Sequence, residues 1–239
     1  TLRSRGLGDV YKRQIFERVV IESSCFRYGG TMSFVESLET FGKNLADVQP
    51  TTFAGVPRIY NKFKDKVLEK MPQNKLNTLL KIPILSSIIN KKIKKSLGWS
   101  RCGAIVSGAA FLPQEIIDWY QKLDVFILNG YGMTENCCVC SYLDTKNSKG
   151  KGSVGLPWDE VEVKIGDDGA ILNKGPFLLK EYYKNKEYTN RVLKDGWFNT
   201  GDKGYIDDDG YLHITGRVKD IFKTSKGKYI EPHLSLIHI

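Results

Sequence analysis

Tyr131-Gly132-Met133-Thr134-Glu135 closes a stretch of sequence in which apolar runs alternate with one amphipathic segment. Before it come an apolar run at Cys102–Ser107, a helical pattern that Leu112-Pro113 opens and that continues to Leu123, and a second apolar run at Val125–Leu128. Parallel strands that are joined by a helix bring their carboxyl ends to the same edge of a sheet. The order therefore predicts a βαβ-like unit whose strand ends face a nucleotide site.

The sequences upstream and downstream of this unit predict different secondary structure. Upstream, from Ile15 to about Met71, apolar positions mix with turn signals and indicate alternating strands and helices. Downstream of Ser148, short apolar runs such as Val161–Ile165 and Tyr211–Thr215 are separated by turns rich in glycine and aspartate. The expected fold class is α/β, with an α/β layered subdomain followed by a small β-barrel-like subdomain.

Lys75–Leu97 is rich in lysine and isoleucine at helical spacing. We expect a solvated helix face there, and peripheral membrane contact is the alternative. No run of about twenty apolar residues occurs, and the first residues lack the pattern of a secretory signal. The expected compartment is the cytoplasm, with membrane-peripheral attachment left open.

The two ends of the chain are related at the level of codons. Residues 9–14 can be encoded by GAT GTG TAT AAG AGA CAG, and the reverse complement of that DNA encodes residues 234–239. This element matches the end sequence of transposon-based sequencing libraries, so we interpret residues 1–14 and 234–239 as foreign, adapter-derived segments. The formal charge of +9 falls to +6 when they are excluded.

A basic charge alone favours nucleic acid or an anionic surface as a partner. No nucleic-acid-binding motif accompanies it, so nucleic acid is not expected as a partner, and a basic nucleic-acid-binding module remains an alternative. The five cysteines suit reduced thiols. Cys137, Cys138 and Cys140 lack a suitably spaced fourth metal ligand, and we interpret them as small buried residues.

Three segments together resemble the adenylate-forming superfamily, which includes acyl-CoA synthetases, luciferases and the adenylation domains of peptide synthetases. They are Tyr131-Gly132-Met133-Thr134-Glu135, Trp197-Phe198-Asn199-Thr200-Gly201-Asp202 and Gly216-Arg217-Val218-Lys219-Asp220. Further runs resemble the long-chain fatty-acid–CoA ligases within it. These are Phe16-Glu17-Arg18, Ala54-Gly55-Val56-Pro57-Arg58 and Lys223-Thr224-Ser225-Lys226-Gly227-Lys228.

The resemblance implies an enzyme that joins a fatty acid to AMP at the expense of ATP and then transfers the acyl group to coenzyme A. Adenylyl transfer needs a cation, hydroxyl donors and alignment more than a protein nucleophile. By resemblance, Thr134 contacts the α-phosphate and Glu135 holds Mg²⁺, while Tyr131 and Gly132 lie at the adenine.

The remaining implied site residues are spread along the chain. Asp202 is expected to accept hydrogen bonds from the ribose diol, and Arg217 to contact the ribose or a phosphate. The run Ser107-Gly108-Ala109-Ala110 is expected to wall the adenine and acyl pocket, with its small residues allowing close approach of the backbone. Lys219 matches the family hinge.

The resemblance also predicts domain boundaries. Residues 15–218 would form part of an N-terminal adenylation domain, and residues 219–233 the hinge and the start of a truncated C-terminal domain. No glycine-, serine- and threonine-rich phosphate loop occurs in the sequence. We therefore expect this polypeptide to lack turnover by itself. Besides a purely structural fragment, an adenylating enzyme for aryl or amino acids remains an alternative.

Overall fold

The computed structural model describes residues 15–37, 39–146 and 149–218, together with the backbone of two short strands at 222–223 and 229–230. The chain divides into two units. The first comprises residues 1–129 and 144–147, and the second comprises residues 130–143 and 148–239. The predictions made for residues 1–14, Lys219 and residues 234–239 lie outside the described residues.

Helices dominate the first unit. A π-helical segment, Glu17–Ser23, leads into the first α-helix. The α-helices of this unit are α1 (Ser24–Tyr28), α2 (Phe41–Val48), α3 (Pro57–Lys70), α4 (Gln73–Leu80), α5 (Pro83–Ser96) and α6 (Gln114–Gln121). Proline occupies the first turn of α3 and of α5, where a missing backbone N–H costs nothing and the fixed φ suits the helix.

Three parallel strands lie beside these helices: β1 (Thr52–Gly55), β2 (Ala104–Ser107) and β3 (Leu128–Tyr131). Thr52 pairs with Ala104, and Val106 pairs with Leu128. Helix α6 connects β2 to the parallel strand β3. The βαβ-like unit that the sequence predicts is therefore present.

Strand β3 begins three residues later than the apolar run Val125–Leu128 predicts. The N–H of Val125 donates to the carbonyl of Tyr120 at 3.0 Å and so closes the end of α6. The N–H of Ile127 donates to Oγ1 of Thr145 at 2.9 Å. Because those two donors are used outside the sheet, the ladder starts only at Leu128, although Val125 and Ile127 are buried.

Aromatic side chains form the centre of the first unit's core. Trp99, Tyr60 and Tyr120 are almost fully buried, and the ring centroids of Trp99 and Phe53 are 5.3 Å apart. The hydroxyl of Tyr60 donates to the carbonyl of Val106 at 2.6 Å, and that of Tyr120 donates to the carbonyl of Tyr60 at 2.8 Å. The buried hydroxyls thereby tie α3 to β2 and to α6.

The turn after α5 needs glycine. Gly98 has a φ of 73°, and the N–H of Trp99 donates back to the carbonyl of Lys94 at 2.7 Å, as at many helix C-termini. A Cβ at Gly98 would overlap the backbone carbonyl of Leu45. This glycine therefore permits both the left-handed turn and close packing on α2.

The second unit is mainly antiparallel. Its elements are β4 (Ser141–Asp144), β5 (Leu156–Pro157), β6 (Glu162–Ile165), β7 (Ala170–Lys174), α7 (Lys186–Val192), β8 (Leu193–Lys194), β9 (Trp197–Ile206), β10 (Leu212–Arg217), β11 (Phe222–Lys223) and β12 (Tyr229–Ile230). The main sheet has the order β10-β9-β7-β6, β8 pairs with β9, and β4 pairs with β5. The predicted α/β class with a following β subdomain is confirmed.

The core of the second unit contains Cys140, Val154, Ile171 and Leu212. Cys140 is fully buried, whereas Cys137 and Cys138 are only partly buried. The interpretation of the three cysteines as small buried residues therefore holds fully for Cys140 alone. Among the helices that the structure describes, none combines the length and the apolar character needed to cross a bilayer.

Candidate functional site

Asp202 lies in β9 and is 6% exposed. Its Oδ2 accepts a hydrogen bond from the hydroxyl of Tyr131 at 2.7 Å, and its Oδ1 lies 3.1 Å from Nε of Arg217. Asp202 and Arg217 are register partners on β9 and β10. The antiparallel pairing thus places the guanidinium beside the carboxylate, and three residues that the sequence singled out form one cluster.

The backbone around Asp202 is held by its neighbour Thr200. The N–H of Asp202 donates to Oγ1 of Thr200 at 3.1 Å, and the hydroxyl of Thr200 donates to the carbonyl of Ile171 at 2.9 Å. The register between β10 and β9 shifts between Ile214 and Gly216. Bulges of this kind re-aim side chains near functional sites, and this one lies immediately before Arg217.

Burial controls the protonation of the groups next to this carboxylate. Burial, with the Asp202 charge second, raises the pKa of the Tyr131 phenol well above its usual value. The same two causes raise the pKa of the Cys140 thiol to about 12. At neutral pH, Tyr131 is therefore a neutral hydrogen-bond donor and Cys140 a protonated thiol.

Thr134 and Glu135 lie in a single 3-10 turn, Thr134–Asn136, which begins three residues after the end of β3. Thr134 is exposed and Glu135 is half-buried. Oε1 of Glu135 accepts from the hydroxyl of Tyr182 at 2.9 Å, and the backbone carbonyl of Glu135 accepts from the N–H of Leu179 at 2.7 Å. The carboxylate is therefore fixed at the side chain and at the backbone.

A close backbone approach shapes the loop that carries this turn. A Cβ at Gly132 would overlap the backbone of Cys138. The N–H of Met133 donates to Oδ1 of Asn136 at 2.8 Å, and the N–H of Cys138 donates to the carbonyl of Met133 at 2.9 Å. The loop thus folds back on itself, and only glycine at position 132 leaves room for this.

Ser107 is the last residue of β2 in the first unit, and Gly108-Ala109-Ala110 follow it. Ser107 is fully buried, and its Oγ has no hydrogen-bond partner within the described part of the chain. Ala109 has a φ of 64°, and both alanines are exposed. A buried hydroxyl without a partner is costly in a finished core, and this one lies at the carboxyl end of a parallel strand, where α/β folds bind ligands.

The resemblance to adenylate-forming enzymes implies a magnesium ion at this site. Across the described ranges, no group of three or more His, Cys, Asp or Glu residues could hold a metal ion. Mg²⁺ commonly uses one or two carboxylates and completes its shell with water and substrate phosphates. Glu135 fits that mode as a single carboxylate, so the residues present suit a magnesium ion that arrives with a phosphate-bearing ligand.

Sequence reasoning missed Tyr182 as a site residue. The pair Tyr182-Tyr183 resembles a family run, but the letters do not say which ring faces inward. In the structure Tyr183 is 85% exposed, whereas Tyr182 donates to Glu135. Burial, then the hydrogen bond to Glu135, raises the pKa of Tyr182. The sequence does not show how the segment with these two tyrosines lies relative to α7, which begins at Lys186, and that position decides which ring reaches Glu135.

Residues 14–183 match the protein family described as AMP-binding enzyme. The chain belongs to this family. It is 30% identical to the long-chain-fatty-acid–CoA ligase FadD15 of Mycobacterium bovis, with 89% of this chain and 39% of that protein covered. It is also 30% identical to the fatty acyl-CoA synthetase B of Dictyostelium discoideum, with coverage of 90% and 37%.

A solved structure has a similar fold. The ATP-bound MatB of Rhodopseudomonas palustris superposes with a TM-score of 0.67 at 26% identity, and the match covers 90% of this chain and 40% of that one. The chain thus spans about two fifths of the length of the curated relatives and solved structures that it matches.

Proposed function

We propose that the chain is part of an AMP-forming acid–thiol ligase that uses ATP, a long-chain fatty acid and coenzyme A. Membership of the AMP-binding family and the fatty-acyl ligase names of the two relatives support this. The observation that carries the proposal is the buried Asp202 carboxylate between the Tyr131 hydroxyl and the Arg217 guanidinium.

Asp202 would bind the ribose of the nucleotide. A carboxylate offers about four acceptor positions, and the described contacts use one on each oxygen. Each oxygen therefore retains capacity for one hydroxyl of a vicinal diol. Arg217 lies beside the carboxylate, and because its side chain is 66% exposed, it can also reach a phosphate.

Tyr131 and Gly132 would border the adenine. The phenol is fixed by its bond to Asp202, which orients the ring, and Gly132 gives the loop its tight path. Ser107 supplies a buried hydroxyl without a partner at the end of β2. Together with Gly108, Ala109 and Ala110 it would line the adenine and acyl pocket.

Thr134 and Glu135 would act at the phosphates. In adenylation a carboxylate oxygen of the fatty acid forms a bond to the α-phosphorus, and the bond from that phosphorus to pyrophosphate breaks. Thr134, exposed at the start of the turn, would donate its hydroxyl to an α-phosphate oxygen. Glu135 would hold Mg²⁺, which when bound neutralises phosphate charge. Tyr182 would keep the Glu135 carboxylate aimed.

In the second half-reaction the sulfur of coenzyme A forms a bond to the acyl carbon, the bond to AMP breaks, and the thiol proton leaves. We propose that Lys219 is the hinge about which a C-terminal domain rotates between the two half-reactions. Residues 15–218 would then belong to the N-terminal adenylation domain, residues 219–233 to the hinge region, and residues 1–14 and 234–239 to adapter-derived segments.

The experiment uses a full-length protein that contains this chain. Pyrophosphate release is measured with ATP, Mg²⁺ and a panel of carboxylates: palmitate, an aryl acid and amino acids. Coenzyme A consumption is then measured on the acid that reacts. Palmitate-dependent release followed by thiol consumption supports the proposal. Release with only the aryl or amino acids would reassign the substrate, and no release with any acid would overturn the proposed activity.

A further inference from the structure

The junction of α4 and α5 exposes an unusual amount of apolar surface. Ile84 is 76% exposed and Ile88 is 56% exposed, and Ile82 and Leu85 are also exposed. The other side of α5 packs normally, since Ile93 is buried in the core of the first unit. We call residues 81–88 the hairpin tip. The apolar side chains of the tip contact solvent, whereas the opposite face of α5 packs on the core.

The sequence around this tip is rich in lysine and contains no acidic residue. No Asp or Glu occurs between Met71 and Gln114, whereas 71–97 contains six lysines. Within the described residues, Lys94 alone of these forms an ion pair, with Asp124 at 2.9 Å. The six lysines are Lys75, Lys81, Lys91, Lys92, Lys94 and Lys95.

Helical spacing brings both features to one face of α5. Ile84, Ile88, Lys92 and Lys95 follow one another at intervals of four, four and three residues, which places them along a single stripe. The apolar half of the stripe lies at the tip, and the cationic half follows it. This is the pattern of a segment that lies in a lipid interface with its lysines at the headgroups.

We propose that the hairpin tip binds an anionic lipid surface, with Ile84 and Ile88 entering the acyl boundary and Lys91, Lys92 and Lys95 contacting lipid phosphates. This inference is independent of the proposed ligase activity. Charge selects the occupant, because a second copy of the chain would set one lysine stripe against another. Nucleic acid fits less well, since the stripe offers isoleucines in place of aromatic rings or arginines on which bases stack.

Helix α3 is a matched control within the same unit. It is also 14 residues long and also begins at proline, and it carries three exposed lysines at Lys62, Lys66 and Lys70. Asp65 and Glu69 lie among these lysines, and the apolar residues Phe63 and Val67 are buried. Helix α3 therefore carries a similar number of exposed lysines, but acidic residues lie among them and its apolar residues are buried.

The test is flotation of the intact 239-residue chain with vesicles of phosphatidylcholine and phosphatidylglycerol at a ratio of about 3:1 in low salt. Each lysine near such a surface is worth about fivefold in partitioning. Lys91→Gln/Lys92→Gln/Lys95→Gln should therefore lower binding by at least about tenfold, as should Ile84→Asn/Ile88→Asn through lost apolar burial. Lys62→Gln/Lys66→Gln/Lys70→Gln should change it by less than about threefold.

Three further measurements complete the test. Binding should fall at high salt and be weak on phosphatidylcholine alone, and vesicles should slow amide exchange in residues 81–92 of the wild type. Far-UV circular dichroism checks that each variant is folded. Equal loss from the α5 and α3 lysine variants would overturn the proposal, as would unchanged exchange at the tip. Tighter binding to an RNA oligonucleotide that ignores the isoleucine variant would assign the surface to nucleic acid instead.

Discussion

The phenolic oxygen of Tyr131 lies 2.7 Å from Oδ2 of Asp202. This bond joins the last residue of β3 to the middle of β9, and it orients the carboxylate that we assign to the ribose. Its partner on the other side is Arg217. The three side chains therefore form a preorganised acceptor.

The first prediction concerns Asp202→Ala in a full-length protein that contains this chain. Each charge-assisted hydrogen bond is worth about 1.5–3 kcal/mol, so losing two should lower kcat/KM for ATP by about a hundredfold or more. The diagnostic measurement compares ATP with 2′-deoxy-ATP. The variant should discriminate between them less than the wild type does. Unchanged discrimination by a folded variant would remove Asp202 from the ribose.

A second prediction addresses the carboxylate of the 3-10 turn. Glu135→Gln should slow adenylation by about a hundredfold or more, as loss of one preorganised electrostatic contact commonly does. Pyrophosphate release measures this step. Acyl transfer from supplied acyl-AMP should suffer less, because it involves no pyrophosphate. Equal losses in both half-reactions would indicate that Glu135 is structural.

The third prediction separates two adjacent tyrosines. Tyr182→Phe removes the hydroxyl that donates to Glu135 at 2.9 Å and should lower the adenylation rate by about tenfold, the equivalent of one hydrogen bond to a charged group. It should also raise the Mg²⁺ concentration needed for half-maximal rate. Tyr183→Phe is the control, since Tyr183 is 85% exposed. If both variants behave alike, the Tyr182 bond does not position the carboxylate.

The fourth prediction is a loss of stability at high pH. Burial raises the pKa of Tyr60 and of Tyr120 above 10 in the folded state. As the pH rises, the two phenols therefore lose their protons in the unfolded chain before they do so in the folded one. Their contribution to the free energy of unfolding is complete below pH about 10 and declines above it. Tyr120→Phe should reduce the slope of unfolding free energy against pH by about 1.4 kcal/mol per pH unit. Denaturant titrations from pH about 8 to about 11 measure it.

A control for the Tyr120 experiment is Tyr183→Phe, which removes a hydroxyl from the surface. At pH about 8, Tyr120→Phe should itself cost about 1 kcal/mol, because the bond to the Tyr60 carbonyl is lost. An unchanged slope above pH about 10 would mean that Tyr120 ionises equally in both states.

The fifth prediction concerns the isolated chain. It spans 39% of the length of the Mycobacterium bovis relative and contains no glycine-, serine- and threonine-rich phosphate loop. We expect weak ATP binding by calorimetry and no acyl-CoA synthesis from this polypeptide alone. Fatty-acid-dependent pyrophosphate release by it would contradict the expectation.

The spacing of apolar residues was sufficient to predict elements whose backbone groups bond within a regular helix or sheet. The run before Gly108 became β2 and the segment after Pro113 became α6, as the sequence predicts. It failed at Val125, because the N–H of that residue closes α6, a choice that depends on the turn between them. Apolar character alone cannot distinguish a buried strand from a buried turn.

The candidate site shows the same division. Motif spacing selected Tyr131, Asp202 and Arg217, and the structure brings these side chains into contact. Spacing could not select Tyr182 over Tyr183, because that choice depends on which ring the chain presents to Glu135 before α7. Side-chain orientation in an irregular segment is set by tertiary packing, which a single sequence does not display.

The distance along the chain between Tyr131 and Asp202 has a kinetic consequence. Their bond spans 71 residues, so we expect it to form late in folding, once a long loop has closed and β9 has paired with β7. A nucleotide that engages Asp202 would then recognise a contact that the folding transition state lacks. Such a ligand should therefore lengthen the lifetime of the folded second unit by slowing its unfolding, and leave its folding rate nearly unchanged.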